Sequence, residues 1–177
     1  MPRVGAARWH RFTRRRPAQI ADADADADAD DRPPLPRPPR TPLYPPQNAG
    51  RSQISAYTFN ALVDPSSATA ISAGSRPAEH VHEEVKVAMA EAGHDLSGAV
   101  PQKLTRELLE ASGTTHCVLM GCGDACPMVP GRNIEIIEWK VPDPHGAGLE
   151  AVREIRDGLR ERIEQLIDEK GLKRRSA

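Results

Sequence analysis

The hydrophobic residues near the C-terminus repeat with helical spacing and give the clearest secondary-structure prediction in the chain. They predict a helix over about Ala147 to Lys170, with Gly171 as its stop. The apolar positions of this helix are Leu149, Val152, Ile155, Leu159, Ile163, Leu166 and Ile167. A stripe of this kind is typical of a helix that covers one face of a hydrophobic core.

The chain between Gln47 and this helix alternates between helical and strand patterns. The helical stretches are Ser52 to Val63, Glu79 to Ala92 and Leu104 to Ala111. The strand candidates are Ala68 to Ala73, His116 to Met120 and Asn133 to Lys140. This alternation predicts an α/β fold in which helices cover a parallel sheet. Ligands of such sheets bind at the carboxyl ends of the strands.

Residues 1–46 differ in composition from the rest of the chain and show neither helical nor strand periodicity. An arginine-rich start is followed by an Ala-Asp repeat (Ala21 to Asp30) and by PPLPRPPRTP. Ten of the 17 prolines lie here: Pro2, Pro17, Pro33, Pro34, Pro36, Pro38, Pro39, Pro42, Pro45 and Pro46. We predict a disordered or polyproline-like segment over 1–46, a folded domain over 47–171 and a basic tail over 172–177. A transit peptide is an alternative interpretation of the first segment.

Charge and composition argue against two classes of function. Lys and Arg number 24 against 25 Asp and Glu, and a net charge of -1 does not suit nucleic-acid binding through bulk electrostatics. No apolar run is long enough to cross a bilayer. Cys117, Cys122 and Cys126 lie close together and suit a reducing cytoplasm rather than a disulfide scaffold. We therefore expect a cytoplasmic protein with no nucleic-acid or membrane partner.

The candidate chemistry lies in one loop, Gln47-Asn48-Ala49-Gly50-Arg51-Ser52-Gln53. Small residues lead here into a helix N-terminus, where free amides and the helix dipole favour an oxyanion. Gly50 tolerates a positive φ and a close approach to a ligand. Arg51 offers a planar fork of donors to phosphate-like oxygens. These residues alone also fit a plain turn followed by a helix with a surface arginine.

Four motifs in order carry a more specific signal: NAGRSQ, SAGSRPA, MGCGDACP and PDPHG. Together they resemble the low-molecular-weight protein tyrosine phosphatase superfamily and, within it, the bacterial arsenate reductase branch. The resemblance covers about Gln47 to Gly171. It implies a four-stranded parallel sheet flanked by helices. It also implies thiol-dependent reduction of arsenate to arsenite, with phosphotyrosine hydrolysis as the alternative activity; Pro144-His145-Gly146 after Asp143, without a tyrosine pair, favours arsenate.

The resemblance also assigns roles to individual residues. The family's phosphate loop has the pattern Cys-x5-Arg, and its arginine matches Arg51. The hydroxyl that hydrogen-bonds the thiolate matches Ser52, and the asparagine that braces the loop matches Asn48. The general acid of the Asp-Pro motif matches Asp143. Gln47, Ala49 and Gly50 complete the oxyanion-binding loop with Asn48. In general terms, a tetrahedral oxyanion requires several fixed donors, and its leaving group requires a proton.

The chain departs from the family at the nucleophile. Counting back from Arg51, the position of the catalytic cysteine holds Pro45, and no cysteine precedes Cys117. Pro46 also removes an amide donor from the loop. The preceding strand is replaced by Arg40-Thr41-Pro42-Leu43-Tyr44-Pro45-Pro46, in which prolines cannot donate to a ladder. We therefore expect the central first strand to be degraded or missing, and the chain as written to be inactive in thiolate chemistry.

Cys122 and Cys126 are redox candidates by resemblance. Their region holds the relay cysteines of thioredoxin-coupled members, and their shorter spacing resembles members that use mycothiol. The family thus implies a thiol reductant, either mycothiol with mycoredoxin or thioredoxin, and a redoxin partner, with no bound cofactor. All three cysteines also fit small buried hydrophobes, and Cys117 does so most clearly.

A metal site is not predicted. His116, Cys117, Cys122 and Cys126 lack a Cys-x2-Cys pair, and adjacent strand residues face opposite sides. His80 and His82 are predicted to be solvated on the first turn of a helix, and His94 and His145 to lie in loops.

Two explanations fit the missing nucleophile. In the first, a shifted reading frame or a wrong start has replaced the natural N-terminal segment; the coding DNA upstream of Gln47 should then encode, in another frame, a β-branched strand ending in Cys-x-x-Asn. In the second, the chain is a pseudo-enzyme, an oxyanion-binding module whose proline-rich arm recruits SH3-like partners. We favour the first, because one event then explains the loss of nucleophile, strand and loop amide.

Overall fold

A computed structural model describes residues 40–44, 47–120 and 127–176, which lie within the unit Pro36–Ala177. The strands are β1 (Arg40–Tyr44), β2 (Thr69–Ser72), β3 (His116–Leu119) and β4 (Glu135–Glu138). The helices are α1 (Arg51–Leu62), α2 (Glu83–Glu91), α3 (Arg106–Ser112) and α4 (Gly148–Glu169). The predicted α/β class and the order of its elements are confirmed. Among the described helices, none is both long and apolar enough to span a membrane.

The four strands form one parallel sheet in the order β2-β1-β3-β4. The first strand was expected to be degraded or missing; it is not missing, because β1 lies in the centre of this sheet. It pairs with β2 over Arg40 to Leu43 but with β3 only at Leu43 and Tyr44. Five residues of the segment predicted to be disordered therefore belong to the sheet.

A proline does not prevent this strand because the defect that it introduces is local. Pro42 lacks one N–H, while every other position of Arg40–Tyr44 keeps its amide and its carbonyl. In a parallel ladder, successive residues bond to opposite neighbours, so one proline removes a single bond on one side. The short register with β3 shows that the pairing on that side is nevertheless limited.

The core lies on both faces of the sheet. On one face, α4 buries Val152, Ile155, Leu159, Ile163, Leu166 and Ile167, six of the seven positions that its periodicity predicts, while Leu149 is partly buried. These residues pack with Ile54 and Phe59 of α1 and with Val118 of β3. Cys117, the neighbour of Val118, is fully buried in a second apolar cluster with Leu104, Leu109 and Val129. Cys117 is therefore a packing residue, as predicted for a cysteine inside a strand.

Helix α2 begins at Glu83, four residues later than its predicted start at Glu79. The backbone before Glu83 is hydrogen-bonded to the loop that contains Asn48. The amide of Ala78 donates to the Gln47 carbonyl at 2.9 Å, and the amide of His82 donates to the Ala49 carbonyl at 3.0 Å. Hydrogen bonds of this kind compete with helical ones, so the helix begins only after His82.

The basic tail is fastened to the rest of the domain near the end of α1. The amide of Asp64 donates to the Lys173 carbonyl, and the amide of Arg175 donates to the Leu62 carbonyl, both at 2.8 Å. An antiparallel bridge joins Val63 to Arg174. This part of the predicted tail thus has a defined backbone path.

The edge strand β2 is protected by a side chain of α1. The Ala70 amide donates to Asn60 Oδ1 at 2.7 Å, and Asn60 Nδ2 donates to the Ala70 carbonyl at 2.9 Å. In a parallel strand, the N–H and C=O of one residue point to the same side, and here that side has no neighbouring strand. Asn60 therefore replaces the missing neighbour and blocks edge pairing.

We expect Asn60→Ala to lower the free energy of unfolding by about 1–3 kcal/mol, because two part-buried backbone groups lose their partners. Chemical denaturation followed by circular dichroism measures the change. Asn133→Ala is the matched control, since Asn133 is exposed and should change stability by less than about 0.5 kcal/mol. Equal stability of the two variants would contradict this role of Asn60.

Candidate oxyanion-binding site

Asn48 holds the loop between β1 and α1 in shape. It is buried and has a φ of 51°, a left-handed conformation that asparagine tolerates better than most residues. Its Nδ2 donates to Ser52 Oγ at 2.9 Å, and its Oδ1 accepts from the Gln102 amide at 2.9 Å. Gln53 Nε2 donates to both the carbonyl and Oδ1 of Asn48, at 3.0 and 3.1 Å. The side chain of Asn48 is thus engaged with protein atoms on both of its ends.

Gly50 has a role other than the predicted positive φ. Its φ is -134° and its ψ -103°, and the positive φ in this loop belongs to Asn48. A Cβ on Gly50 would lie 2.6 Å from Pro144 Cγ. The loop therefore requires glycine because the ring of Pro144 packs directly against its backbone, which brings the Asp143-Pro144 segment over the loop.

The N-terminus of α1 opens from this loop with several amides available. The Gly50 carbonyl accepts from Gln53 and Ile54, as the first turn of a helix requires. Among the described residues, no acceptor takes a hydrogen bond from the amides of Ala49, Gly50, Arg51 or Ser52. The first turn of α1 contains no acidic residue and Gly50 provides no side-chain cap, so the helix dipole is uncompensated there.

Arg51 is buried to 5% exposure, and its guanidinium is only partly engaged. Nη1 donates to the Val141 carbonyl at 2.8 Å, and Nη2 lies 3.6 Å from Asp143 Oδ2. Nε is buried and has no hydrogen-bond partner in the described structure. Because Nη1 is anchored, the Nε and Nη2 side of the guanidinium remains to donate; in general this side can bind two oxygens of one anion.

Asp143 reaches the site from the segment between β4 and α4. Its side chain is 64% exposed, and Oδ1 accepts from the amide of His145 at 3.1 Å, an Asx-type turn. The structure thus brings together Arg51 and Asp143, which lie far apart in the sequence. With so much exposure the ion pair adds little stability.

These groups surround an open cavity of about 340 Å³, lined by Gln47, Ala49, Gly50, Arg51, Arg76, His82 and Asp143. Asn48 and Ser52 stand outside this lining and brace the loop from behind. Sequence reasoning missed Arg76 and His82 as site residues. The available signal was the SAGSRPA motif, which contains Arg76 and ends four residues before His82.

His82 was predicted to be solvated on the first turn of a helix. In the structure its side chain is half-buried, so that prediction is wrong. Its ring lies 4.9 Å from the ring of the exposed His145. Burial lowers the pKa of His82 below its usual value, and the neighbouring His145 lowers it further, whereas Asp143 acts in the opposite direction. The imidazole is therefore neutral at neutral pH and adds no positive charge to the cavity.

Three of the sequence-level candidates lie outside the described residues: Pro45, at the nucleophile position, and the redox candidates Cys122 and Cys126. Their predicted roles remain predictions. Within the described ranges, no cluster of three or more His, Cys, Asp or Glu side chains is arranged to hold a metal ion.

No family model matches the chain, but individual proteins do. It is 36% identical over 129 residues to a Halobacterium salinarum protein named provisionally as an arsenate reductase, covering 70% of this chain and 87% of the relative. A thioredoxin-dependent arsenate reductase of Corynebacterium glutamicum superposes with a TM-score of 0.61 at 32% identity, over 76% of this chain and 63% of that one. The chain thus spans less than two thirds of the corynebacterial enzyme.

A low-molecular-weight protein tyrosine phosphatase from T. tengcongensis shares the fold, with a TM-score of 0.59 at 22% identity over 74% of this chain and 99% of that one. The chain belongs to the arsenate reductase family and has the fold of the low-molecular-weight protein tyrosine phosphatases. The resemblance drawn from the four sequence motifs is therefore confirmed.

Gly50→Ala tests the contact between the loop and Pro144. The new methyl group would meet a stiff ring at 2.6 Å, so we expect a loss of about 1–3 kcal/mol in the free energy of unfolding. Thermal and denaturant unfolding measure it. Gly98→Ala is the control, because no atom lies within 4 Å of its Cβ position and its φ is unexceptional; a Gly50→Ala protein as stable as this control would disprove the contact.

Proposed function

We propose that the loop from Gln47 to Gln53 binds a tetrahedral oxyanion, arsenate or phosphate, and that the chain as written does not transform it. Membership of the family supplies the chemistry from which this function descends, which is thiol-dependent reduction of arsenate to arsenite. In that reaction two thiols donate two electrons to As(V) and become a disulfide, and one arsenate oxygen leaves as water with the two thiol protons.

The observation that carries the oxyanion proposal is a set of donors without acceptors. The amides of Ala49 to Ser52 and the Nε of Arg51 have no hydrogen-bond partner among the described residues. A tetrahedral oxyanion supplies acceptors in several directions, so it can satisfy these donors together. Donors that are already fixed stabilise such charge without reorganisation, and the bracing of Asn48 provides that fixation.

Each site residue then has a proposed role. Arg51 clamps two oxygens of the anion while its Nη1 stays on Val141. Ser52 would stabilise a thiolate in a relative that has one, and here it holds the loop through Asn48. Asp143, 64% exposed and 3.6 Å from Arg51 Nη2, would act as the acid that protonates a leaving group.

The inactivity proposal rests on the nucleophile. Pro45 occupies the position six residues before Arg51, and a proline has no sulfur to attack arsenic or phosphorus. Cys117 does not replace it, since it is fully buried in an apolar cluster, and buried structural thiols are unreactive. Hydrolysis of phosphotyrosine needs the same nucleophile, so the phosphatase alternative meets the same obstacle.

The reductant is proposed by analogy. The corynebacterial relative is described as thioredoxin-dependent, and we extend to this chain a thiol system of that kind, mycothiol with mycoredoxin or thioredoxin. Cys122 and Cys126 would be the positions that exchange with it. A chain without the first nucleophile would bind the anion and leave such a reductant unused.

We expect isothermal titration of the full chain with arsenate and with phosphate to show saturable binding, and Arg51→Ala to weaken it roughly 10- to 100-fold, because a charge-assisted pair of hydrogen bonds is lost. The same protein should produce no arsenite from arsenate with mycothiol and mycoredoxin or with thioredoxin. Pro45→Cys is the paired variant that restores the nucleophile position.

The two parts of the proposal fail separately. A chain that binds neither anion refutes the oxyanion site. Arsenite production by the unmodified chain that disappears in Cys122→Ser refutes the inactivity and makes Cys122 the working thiol.

A further inference from the structure

The cavity contains a second arginine, Arg76, which lies in the SAGSRPA motif but receives no role from the family resemblance. Arg76 is exposed and lines the same cavity as Arg51 and Asp143. It has no hydrogen bond or ion pair with any described residue. Most other described arginines pair with a carboxylate, as Arg106 does with Glu110 at 2.8 Å. Arg76 therefore offers an uncommitted guanidinium to whatever occupies the cavity.

The backbone that carries Arg76 is fixed to the anion loop. The Ala78 amide donates to the Gln47 carbonyl and the His82 amide to the Ala49 carbonyl, at 2.9 and 3.0 Å. Before Arg76, Gly74 exchanges hydrogen bonds with the 102–104 strand-like segment, to Gln102 at 3.0 Å and from Leu104 at 2.8 Å. Arg76 thus stands on a segment tied down on both sides, so its position at the rim is set by the fold.

The charges that line the cavity are unequal. Arg51 is the buried cation and Asp143 is its nearest anion, at 3.6 Å. His82 contributes no positive charge at neutral pH, since its burial disfavours the imidazolium. Arg76 remains as a second cation, and no described lining residue forms an ion pair with it. Arg51 and Asp143 cancel in formal charge, so Arg76 adds one positive charge to the lining, and a dianion gains more from that added charge than a monoanion does.

We propose that Arg76 is a specificity-determining residue that contacts the outward oxygens of the bound anion and selects dianionic over monoanionic tetrahedral oxyanions. This inference rests on the proposed oxyanion site. Arg51 and the loop amides hold the inner oxygens, and Arg76 closes over the outer ones from the rim. Because the guanidinium is exposed when the cavity is open, its contribution is to affinity and selection, and its removal should leave the fold intact.

The test compares two probes by isothermal titration at low ionic strength: inorganic phosphate at about pH 8, where it is a dianion, and perchlorate, a tetrahedral monoanion. We expect Arg76→Ala to weaken phosphate binding about tenfold and perchlorate binding less than about threefold. Arg76→Lys should keep most of the phosphate affinity because it retains the charge. Arg106→Ala is the matched control, an exposed arginine of α3 whose loss should change neither affinity.

The outcomes separate this inference from the function on which it rests. If the unmodified chain binds phosphate and Arg76→Ala binds it equally well, or loses both anions in equal proportion, the role of Arg76 is refuted while the oxyanion site stands. If the unmodified chain binds neither probe, the oxyanion site itself is refuted. Circular dichroism of each variant verifies that the fold is unchanged.

Discussion

The site depends on the hydrogen bonds that one buried asparagine makes. Asn48 adopts a left-handed backbone conformation that would be strained for most other residues. Its side chain joins Ser52 of the helix, and the backbone of Gln102 reaches it from another part of the chain. The residues that follow, Ala49, Gly50 and Arg51, line the cavity, and their amides have no acceptor among the described residues. Without these hydrogen bonds nothing in the described structure would hold the loop in this conformation.

The fold brings two other segments of the chain against this loop to complete the cavity. The chain between β4 and α4 contributes Asp143 and the ring of Pro144, which packs against Gly50. The segment before α2 contributes Arg76 and His82 and is held to the loop by two backbone hydrogen bonds. These segments meet because parallel strands end at one edge of the sheet. The cavity is therefore a product of topology as well as of the loop.

Sequence reasoning predicted what periodicity and local chemistry determine. The spacing in α4 identified its buried face, and the run of motifs predicted that Arg51 and Asp143 share one site; their side chains lie 3.6 Å apart in the structure. It missed the features that contacts between distant parts of the sequence determine. The start of α2 is set by bonds to the loop, the need for Gly50 comes from Pro144, and β1 forms around Pro42 because neighbouring strands supply its partners. None of these constraints can be found in the residues nearby in sequence.

The central claim is that the loop amides grip a tetrahedral anion in a chain that lacks the cysteine beneath it. Titration of phosphate into the isotopically labelled full chain, followed by two-dimensional amide NMR, tests it most directly. The amide signals of Ala49, Gly50, Arg51 and Ser52 should shift together and saturate, with a common affinity. Saturable phosphate binding that leaves these four signals in place would contradict the claim.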